Sequence, residues 1–146
     1  MAFAARLGDG TVISWGRSDV GGDCSKVQEQ LRDVRQIQAT KYAFAALVDG
    51  GAVVTWGKDA LGGDSSEVQE ELTNVQDIYS NHYAFAALRQ DGSLVTWGGF
   101  GSGGDNSKVH DQLKNVQLVQ ATESAFAALL GDGSIVTWGG DKGGGD

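Results

Sequence analysis

The chain has 146 residues, of which 40% are hydrophobic and 21% are charged, and its formal net charge is −8 at pH 7. This length is enough for one stable domain, and the acidic balance argues against a nucleic-acid surface, because phosphate binding depends on clustered Lys and Arg. No apolar run is long enough to span a bilayer and no leader-like segment precedes the first repeat, so we expect a soluble protein, intracellular rather than secreted.

A short phrase dominates the sequence: Ala-Phe-Ala-Ala, a Gly-containing turn, and an apolar segment that ends in Trp-Gly. It occurs four times, always 41 residues apart. A period of about 20–50 residues is typical of propellers and other repeat arrays, in which neighbouring units bury each other's apolar faces. We therefore predict one repeat domain over residues 1–146, with units 1–41, 42–82 and 83–123 and a partial unit 124–146.

Each unit begins with a predicted β-hairpin. Alternation along the first strand places Phe44 and Ala46 on one face and Ala43, Ala45 and Leu47 on the other. An Asp-Gly or Gly-Gly turn follows, and such residues accept the positive φ of tight hairpin turns. The predicted first strands are 2–7, 43–47, 84–88 and 125–129, and the predicted second strands are 11–15, 52–56, 93–97 and 134–138.

A Gly-rich loop after each hairpin differs most between units, notably at 17–20, 58–61 and 99–102. Variable loops on a repeated scaffold commonly carry recognition. We therefore predict a binding surface on one side of the domain. Its candidate residues are Arg17, Ser18, Asp19, Lys58, Asp59, Phe100 and Ser102.

The remainder of each unit is predicted to form a short helix and a third strand. Val68, Leu72 and Val75 fall at i, i+4 and i+7, which indicates one apolar helical stripe starting near residue 65. The apolar segments that lead into the next Ala-Phe-Ala-Ala are predicted third strands, at 34–40, 75–80 and 116–122.

The Phe and Trp of every hairpin are predicted to form the structural core, because repeat cores require the same large residue in each unit. The alternative is a periodic set of Trp platforms for sugars or peptides. The predicted core residues are Phe3, Trp15, Phe44, Trp56, Phe85, Trp97, Phe126 and Trp138.

No catalytic, cofactor or metal site is predicted. The Asp residues beside Gly could supply oxygen ligands, but Ca²⁺ needs about 6–8 of them around one point, so we expect these Asp to form turns. Cys24 is the only cysteine, and His82 and His110 occupy different repeat positions. The Gly-rich segment 99–104 lacks the Lys of a phosphate loop. We therefore predict that the chain is not an enzyme.

The order of residues in each unit resembles the repeat of the regulator-of-chromosome-condensation family, as a short 41-residue variant like that of HECT-and-RCC-like repeat proteins. The resemblance is carried by Ala87-Leu88, Asp91-Gly92, Leu94 to Gly98 and Gly103-Gly104, followed by Val109, Leu113, Val116 and Val119. It implies propeller blades. The family's Gly-Gln-Leu-Gly loop is replaced here by Gly-Gly-Asp, and four hairpins are too few for the family's seven-bladed ring.

Together these patterns predict a mainly β fold of propeller-like blades, forming a small or partial propeller with short helices between blades. An open ββα-type repeat solenoid is the alternative. We expect a non-enzymatic protein-interaction module or scaffold subunit, whose partner is another protein, a larger assembly or a second copy of the chain, and not nucleic acid. The resemblance implies guanine-nucleotide exchange on a small GTPase as an alternative, and exposed Trp would favour a lectin-like carbohydrate binder.

Overall fold

Four small antiparallel sheets make up the computed structural model, which describes residues 1–146. We call the sheets blades 1 to 4. Blade 1 contains β1 and β2, blade 2 contains β3 to β5, blade 3 contains β6 to β8, and blade 4 contains β9 to β11. The strands are β1 Ala2–Arg6, β2 Val12–Gly16, β3 Val34–Ala39, β4 Ala43–Val48, β5 Val53–Gly57, β6 Val75–Ser80, β7 Ala84–Arg89, β8 Leu94–Gly98, β9 Val116–Ala121, β10 Ala125–Leu130 and β11 Ile135–Gly139. The predicted mainly β, blade-like fold is confirmed.

The blades are offset from the sequence repeats. The third strand predicted in each unit is present, but it pairs with the hairpin of the following unit, so that Ile37 of β3 lies opposite Ala46 of β4. Each blade after the first therefore combines residues of two units. This offset ties successive units together through backbone hydrogen bonds as well as through the covalent chain.

The helices predicted between the blades are only 3₁₀ turns, at Ser25–Gln30, Ser66–Val68 and His110–Gln112. The predicted stripe does point inward, since Leu72 and Val75 are buried and Val68 packs beside them. A regular helix does not continue because the chain must turn into the next strand, and Asn74 makes that turn with a positive φ of 53°.

Blades stack by burying two different faces against each other. We call the face that carries the Phe and Trp of a hairpin its aromatic face, and the opposite face, rich in Ala and aliphatic residues, its aliphatic face. The aromatic face of each blade packs on the aliphatic face of the preceding blade. In the central interface Phe85, Ala87, Val95 and Trp97 of blade 3 pack on Ala43, Ala45, Leu47 and Val53 of blade 2.

The stack is an open arc, because one face at each end has no neighbour. Phe3 and Trp15, on the aromatic face of blade 1, are each 49% exposed. The prediction that these two residues belong to the core therefore differs from the structure, since no blade covers them. The other six predicted core aromatics are buried: Phe44, Trp56, Phe85, Trp97, Phe126 and Trp138. None of the helical turns has the length and apolar character of a membrane-spanning helix.

Candidate interaction surface

The variable loops gather at one end of the blades, which we call the loop end. Since β4 and β5 are antiparallel with Ala43 opposite Gly57, the turn before β4 and the loop after β5 lie together. Blades 3 and 4 repeat this arrangement. The Asp-Gly hairpin turns lie at the opposite end. The antiparallel pairing therefore places the variable loops together on one side of the domain.

Hydrogen bonds hold the backbone of the loops in place. Thr40 Oγ1 donates to the carbonyl of Leu61 at 3.3 Å, and it accepts the amide hydrogen of Ala43 at 2.9 Å. Asn81 does the same in blade 3, where its amide donates to the carbonyl of Ser102 and its oxygen accepts from the amide of Ala84. The loop end is therefore a set of fixed backbones that carry variable side chains.

The seven candidate binding residues lie on three successive loops and do not form one cluster. All are exposed except Ser102, which is half-buried. In the first loop Arg17 Nε donates to Asp19 Oδ1 at 3.0 Å, and this bond lowers the pKa of Asp19 and raises that of Arg17. In the second loop Lys58 Nζ lies 5.5 Å from the centre of the Tyr42 ring. Both cations are thus engaged within the chain.

A groove runs between each pair of neighbouring blades at this end. The groove between blades 2 and 3, which we call the central groove, has a volume of about 490 Å³, and its counterparts measure about 430 and 540 Å³. One Lys lies in each of the other two grooves, Lys26 and Lys108, whereas no basic residue lines the central groove. The carboxylates that line the central groove are Asp59, Asp64, Glu67 and Asp105.

Local hydrogen bonds keep two of these carboxylates ionised. The backbone amide of Ser66 donates to Asp64 Oδ1 at 2.9 Å, and that of Ser107 donates to Asp105 Oδ1 at 2.9 Å. Each bond lowers the pKa of the Asp that accepts it, because it stabilises the charged form. The central groove is therefore negatively charged at neutral pH.

Phe100 stands beside the central groove and the next groove along, lining both. Its side chain is 79% exposed, the most exposed aromatic residue of the chain. The sequence identified Phe100 as a candidate binding residue, whereas it pointed to Asp64 and Asp105 only as oxygen ligands for Ca²⁺ or as turn and cap residues, and to Glu67 only as a charge in the first turn of a helix. The available signal was the recurrence of Gly-Gly-Asp after each variable loop.

No protein-family model and no curated protein sequence matches this chain. Solved structures do match. Prp20 of Saccharomyces cerevisiae, the yeast RCC1, is 20% identical with a TM-score of 0.67, over 95% of this chain and 42% of Prp20. The structure of Prp20 bound to Kap60 gives 19% identity and a TM-score of 0.67, over 95% of this chain and 41% of Prp20. The ectodomain of the Physcomitrella patens receptor kinase CR4 is 20% identical with a TM-score of 0.60, over 90% of this chain and 36% of that one.

The fold is that of an RCC1-like β-propeller. Identities of 19–20% show the fold alone, and this chain spans about two fifths of the length of Prp20. The fold implied by the sequence resemblance is confirmed, while the assignment to a short 41-residue variant stays a prediction.

In this RCC1-like arc, three indoles belong to the packing between blades. Trp97 Nε1 donates to the carbonyl of Gly62 in the preceding blade at 3.2 Å, and Trp56 and Trp138 make the equivalent bonds. These buried rings are not available for stacking on a sugar. No group of three or more His, Cys, Asp or Glu is arranged to hold a metal ion. The loop end therefore offers shape, charge and one exposed aromatic ring.

Proposed function

We propose that this RCC1-like arc is a non-enzymatic protein-interaction module, and that its loop end binds a basic segment of a partner protein. The observation that carries the proposal is the central groove, where four carboxylates and no basic residue lie beside an exposed Phe. Unpaired charge of one sign in a concave surface attracts and orients a partner of the opposite sign.

Phe100 supplies the apolar part of the proposed contact. Aromatic side chains are enriched among the residues that dominate binding energy, because they bury a large area at low entropic cost. The ring lies beside the acidic central groove, so an apolar residue next to Lys or Arg is the expected complement. The hydrogen-bonded loop backbones reduce the ordering cost of association.

The structural neighbours support a protein partner. Prp20 has been crystallised with Kap60, and it is described as binding Gsp1p and histones. These partners are those of Prp20. They support a protein partner for a chain with the same fold.

The test is a titration, followed by fluorescence anisotropy, of a labelled Lys- and Arg-rich peptide of about ten residues with one central Leu. The same peptide with Gln at every basic position is the comparison. In the triple variant Asp64→Asn, Glu67→Gln, Asp105→Asn, we expect affinity to fall roughly tenfold, since each exposed charge pair contributes about 0.2–1 kcal/mol. Phe100→Ala should weaken binding as well.

The matched control removes the same charge at the opposite end of the blades, in Asp9→Asn, Asp91→Asn, Asp132→Asn. Asn retains the ability to form these turns. This control should bind the basic peptide within about twofold of wild type. Equal losses in the two triple variants would assign the effect to net charge and contradict a site at the loop end, as would equal binding of the Gln peptide.

Exchange activity on a small GTPase, which the family resemblance implies, is measured with the same preparation. The release of a fluorescent GDP analogue from a panel of small GTPases should be unchanged by the chain. Accelerated release of the GDP analogue would contradict the proposed non-enzymatic role and indicate nucleotide exchange activity.

A further inference from the structure

The two ends of the arc expose complementary halves of the interface that joins the blades inside it. Blade 1 presents an aromatic face with nothing packed on it, and blade 4 presents an aliphatic face in the same condition. Inside the chain, the same two kinds of face bury each other three times. The proposed function rests on the central groove between blades 2 and 3, whereas these two faces belong to blades 1 and 4, so a role for them is independent of the proposed function.

A glycine forms the receiving part of each internal interface. Gly62 has a φ of 102°, and a Cβ on it would lie 2.5 Å from the ring of Phe85, so only Gly lets that ring approach. Gly21 and Gly103 hold Phe44 and Phe126 in the same way, at 2.5 and 2.6 Å. The glycine carbonyl also accepts the indole hydrogen of the Trp that stacks on that Phe. We call this glycine with its carbonyl the socket.

The fourth socket is empty. Gly144 lies one repeat after Gly103 and has nearly the same φ, 94° against 95°. A Cβ built on Gly144 would have nothing within 4 Å. Its backbone has therefore adopted the receiving conformation without a ring to receive.

The matching aromatic pair is already formed at the other end. The rings of Phe3 and Trp15 stack with centroids 5.6 Å apart, close to the 5.3 Å of Phe44 and Trp56, which occupy a socket. The strand register is also the same, with Phe3 opposite Trp15 and Phe44 opposite Trp56. The pair requires no rearrangement to enter a socket.

The rest of the exposed face of blade 4 is apolar as well. Leu118, Leu129 and Ile135 lie opposite one another across β9, β10 and β11 and form a row on the exposed face of blade 4. Ile135 is 67% exposed, whereas its counterpart Leu94 in blade 3 is 4% exposed. On blade 1, Ile13 is 47% exposed beside the aromatic pair. Contiguous apolar surface of this kind usually marks an interaction site.

We propose that two copies of this chain associate head to tail, with Phe3 and Trp15 of each copy in the Gly144 socket of the other, and close into an eight-bladed ring. The interface is heterologous, because it joins two different faces, and such interfaces form rings when the rotation closes. Two four-bladed arcs give eight blades, which lies within the range of about 4–8 in known propellers. The indole of Trp15 then donates to the carbonyl of Gly144, as the other three indoles do within the chain.

The first measurement is solution mass by light scattering over a range of concentrations. The wild-type mass should rise to twice the 15.2 kDa of the chain and then stay constant. Ile13→Glu and Ile135→Glu each place a charge in every junction of a ring, and each should hold the chain at the single-chain mass at concentrations where wild type is paired. Ala52→Glu is the matched control, because it adds the same charge at an exposed apolar residue in the hairpin turn of blade 2, away from both end faces, and it should pair like wild type.

The second measurement mixes the two defective variants. An Ile13→Glu chain retains its socket and an Ile135→Glu chain retains its aromatic face, so a mixed pair contains one unaltered junction. The mixture should associate at a lower concentration than either variant alone. Circular dichroism of both variants should match that of wild type, since both residues are exposed in the single chain.

A wild-type chain that keeps the single-chain mass at all concentrations would overturn the proposal and leave a further repeat of a longer array as the occupant of these faces. A mass that rises without a plateau would show an open filament in place of a ring. Association in the mixture no stronger than in the separate variants would show that the copies do not meet head to tail.

Discussion

Blades 3 and 1 carry the same aromatic pair in the same strand register, but they differ in how far that pair is covered. Phe85 and Trp97 stack with centroids 5.2 Å apart and are buried, while Phe3 and Trp15 stack at 5.6 Å and are half-exposed. Hairpin pairing is enough to bring the two rings together. Their burial depends on the preceding blade, so the stability of the array arises largely at the interfaces between units.

The largest difference between the two blades is expected in the loss of unfolding free energy caused by Phe85→Ala and by Phe3→Ala. Removing the buried ring of Phe85 leaves a cavity between blades 2 and 3 and should lower the free energy of unfolding by about 3–5 kcal/mol. Removing Phe3 loses little more than its stack on Trp15, about 0.5–1.5 kcal/mol. Urea denaturation at concentrations where the chain is unpaired measures both. Similar losses would show that blade 1 gains its stability from something other than the missing neighbour.

Substitution of the socket glycines separates backbone strain from packing. Gly62→Ala and Gly144→Ala both place a Cβ on a left-handed residue, which costs about 1–2 kcal/mol. Gly62→Ala also drives that Cβ into the ring of Phe85, which should add about 1–3 kcal/mol. Denaturation midpoints of the unpaired chain report the difference. Equal midpoints would mean that the Phe85 ring moves aside freely.

The smallest difference between end and central blades is expected in the pKa values of the hairpin-turn Asp residues, because these turns are exposed in every blade. Hydrogen bonds from Thr11 and Ser93 lower the pKa of Asp9 and Asp91 below the ordinary 3.8. Because the unfolded chain then binds protons more readily, this stabilisation is complete above about pH 4 and is lost as pH falls through the lower folded-state pKa values. NMR titration of the two carboxyl groups should show shifts of the same sign in both blades. A shift in only one of them would show that turn chemistry also depends on blade neighbours.

The strands and their faces were predictable because their signals are local. Alternation of Phe44 and Ala46 with Ala43, Ala45 and Leu47 assigns the two faces of β4, and the turn residues place the hairpin. The predicted short helices are present only as 3₁₀ turns. Leu72 and Val75 have a helical spacing in the sequence, but they are buried by packing against neighbouring strands in the folded chain. The spacing of apolar residues alone does not distinguish a helical stripe from residues that are buried by tertiary packing.

The central groove was beyond prediction for a different reason. Asp64 and Asp105 belong to different repeats, 41 residues apart, and line one groove only because their blades stack. The empty socket is similar, since Gly103 and Gly144 both precede a Gly-Asp pair and have nearly the same backbone φ. Only the absence of a packed ring distinguishes Gly144.

The sequence alone determines the repeating unit: a period of 41 residues, a hairpin in each unit, and a Phe and a Trp that stack on each other in every copy. Backbone propensity and side-chain alternation act within a few residues, so they are readable along the chain. Packing between blades selects which copies of that pair are buried, which carboxylates share a groove and which faces stay open. Those outcomes depend on contacts between units, and the same residues meet a neighbour in the middle of the arc and solvent at its ends.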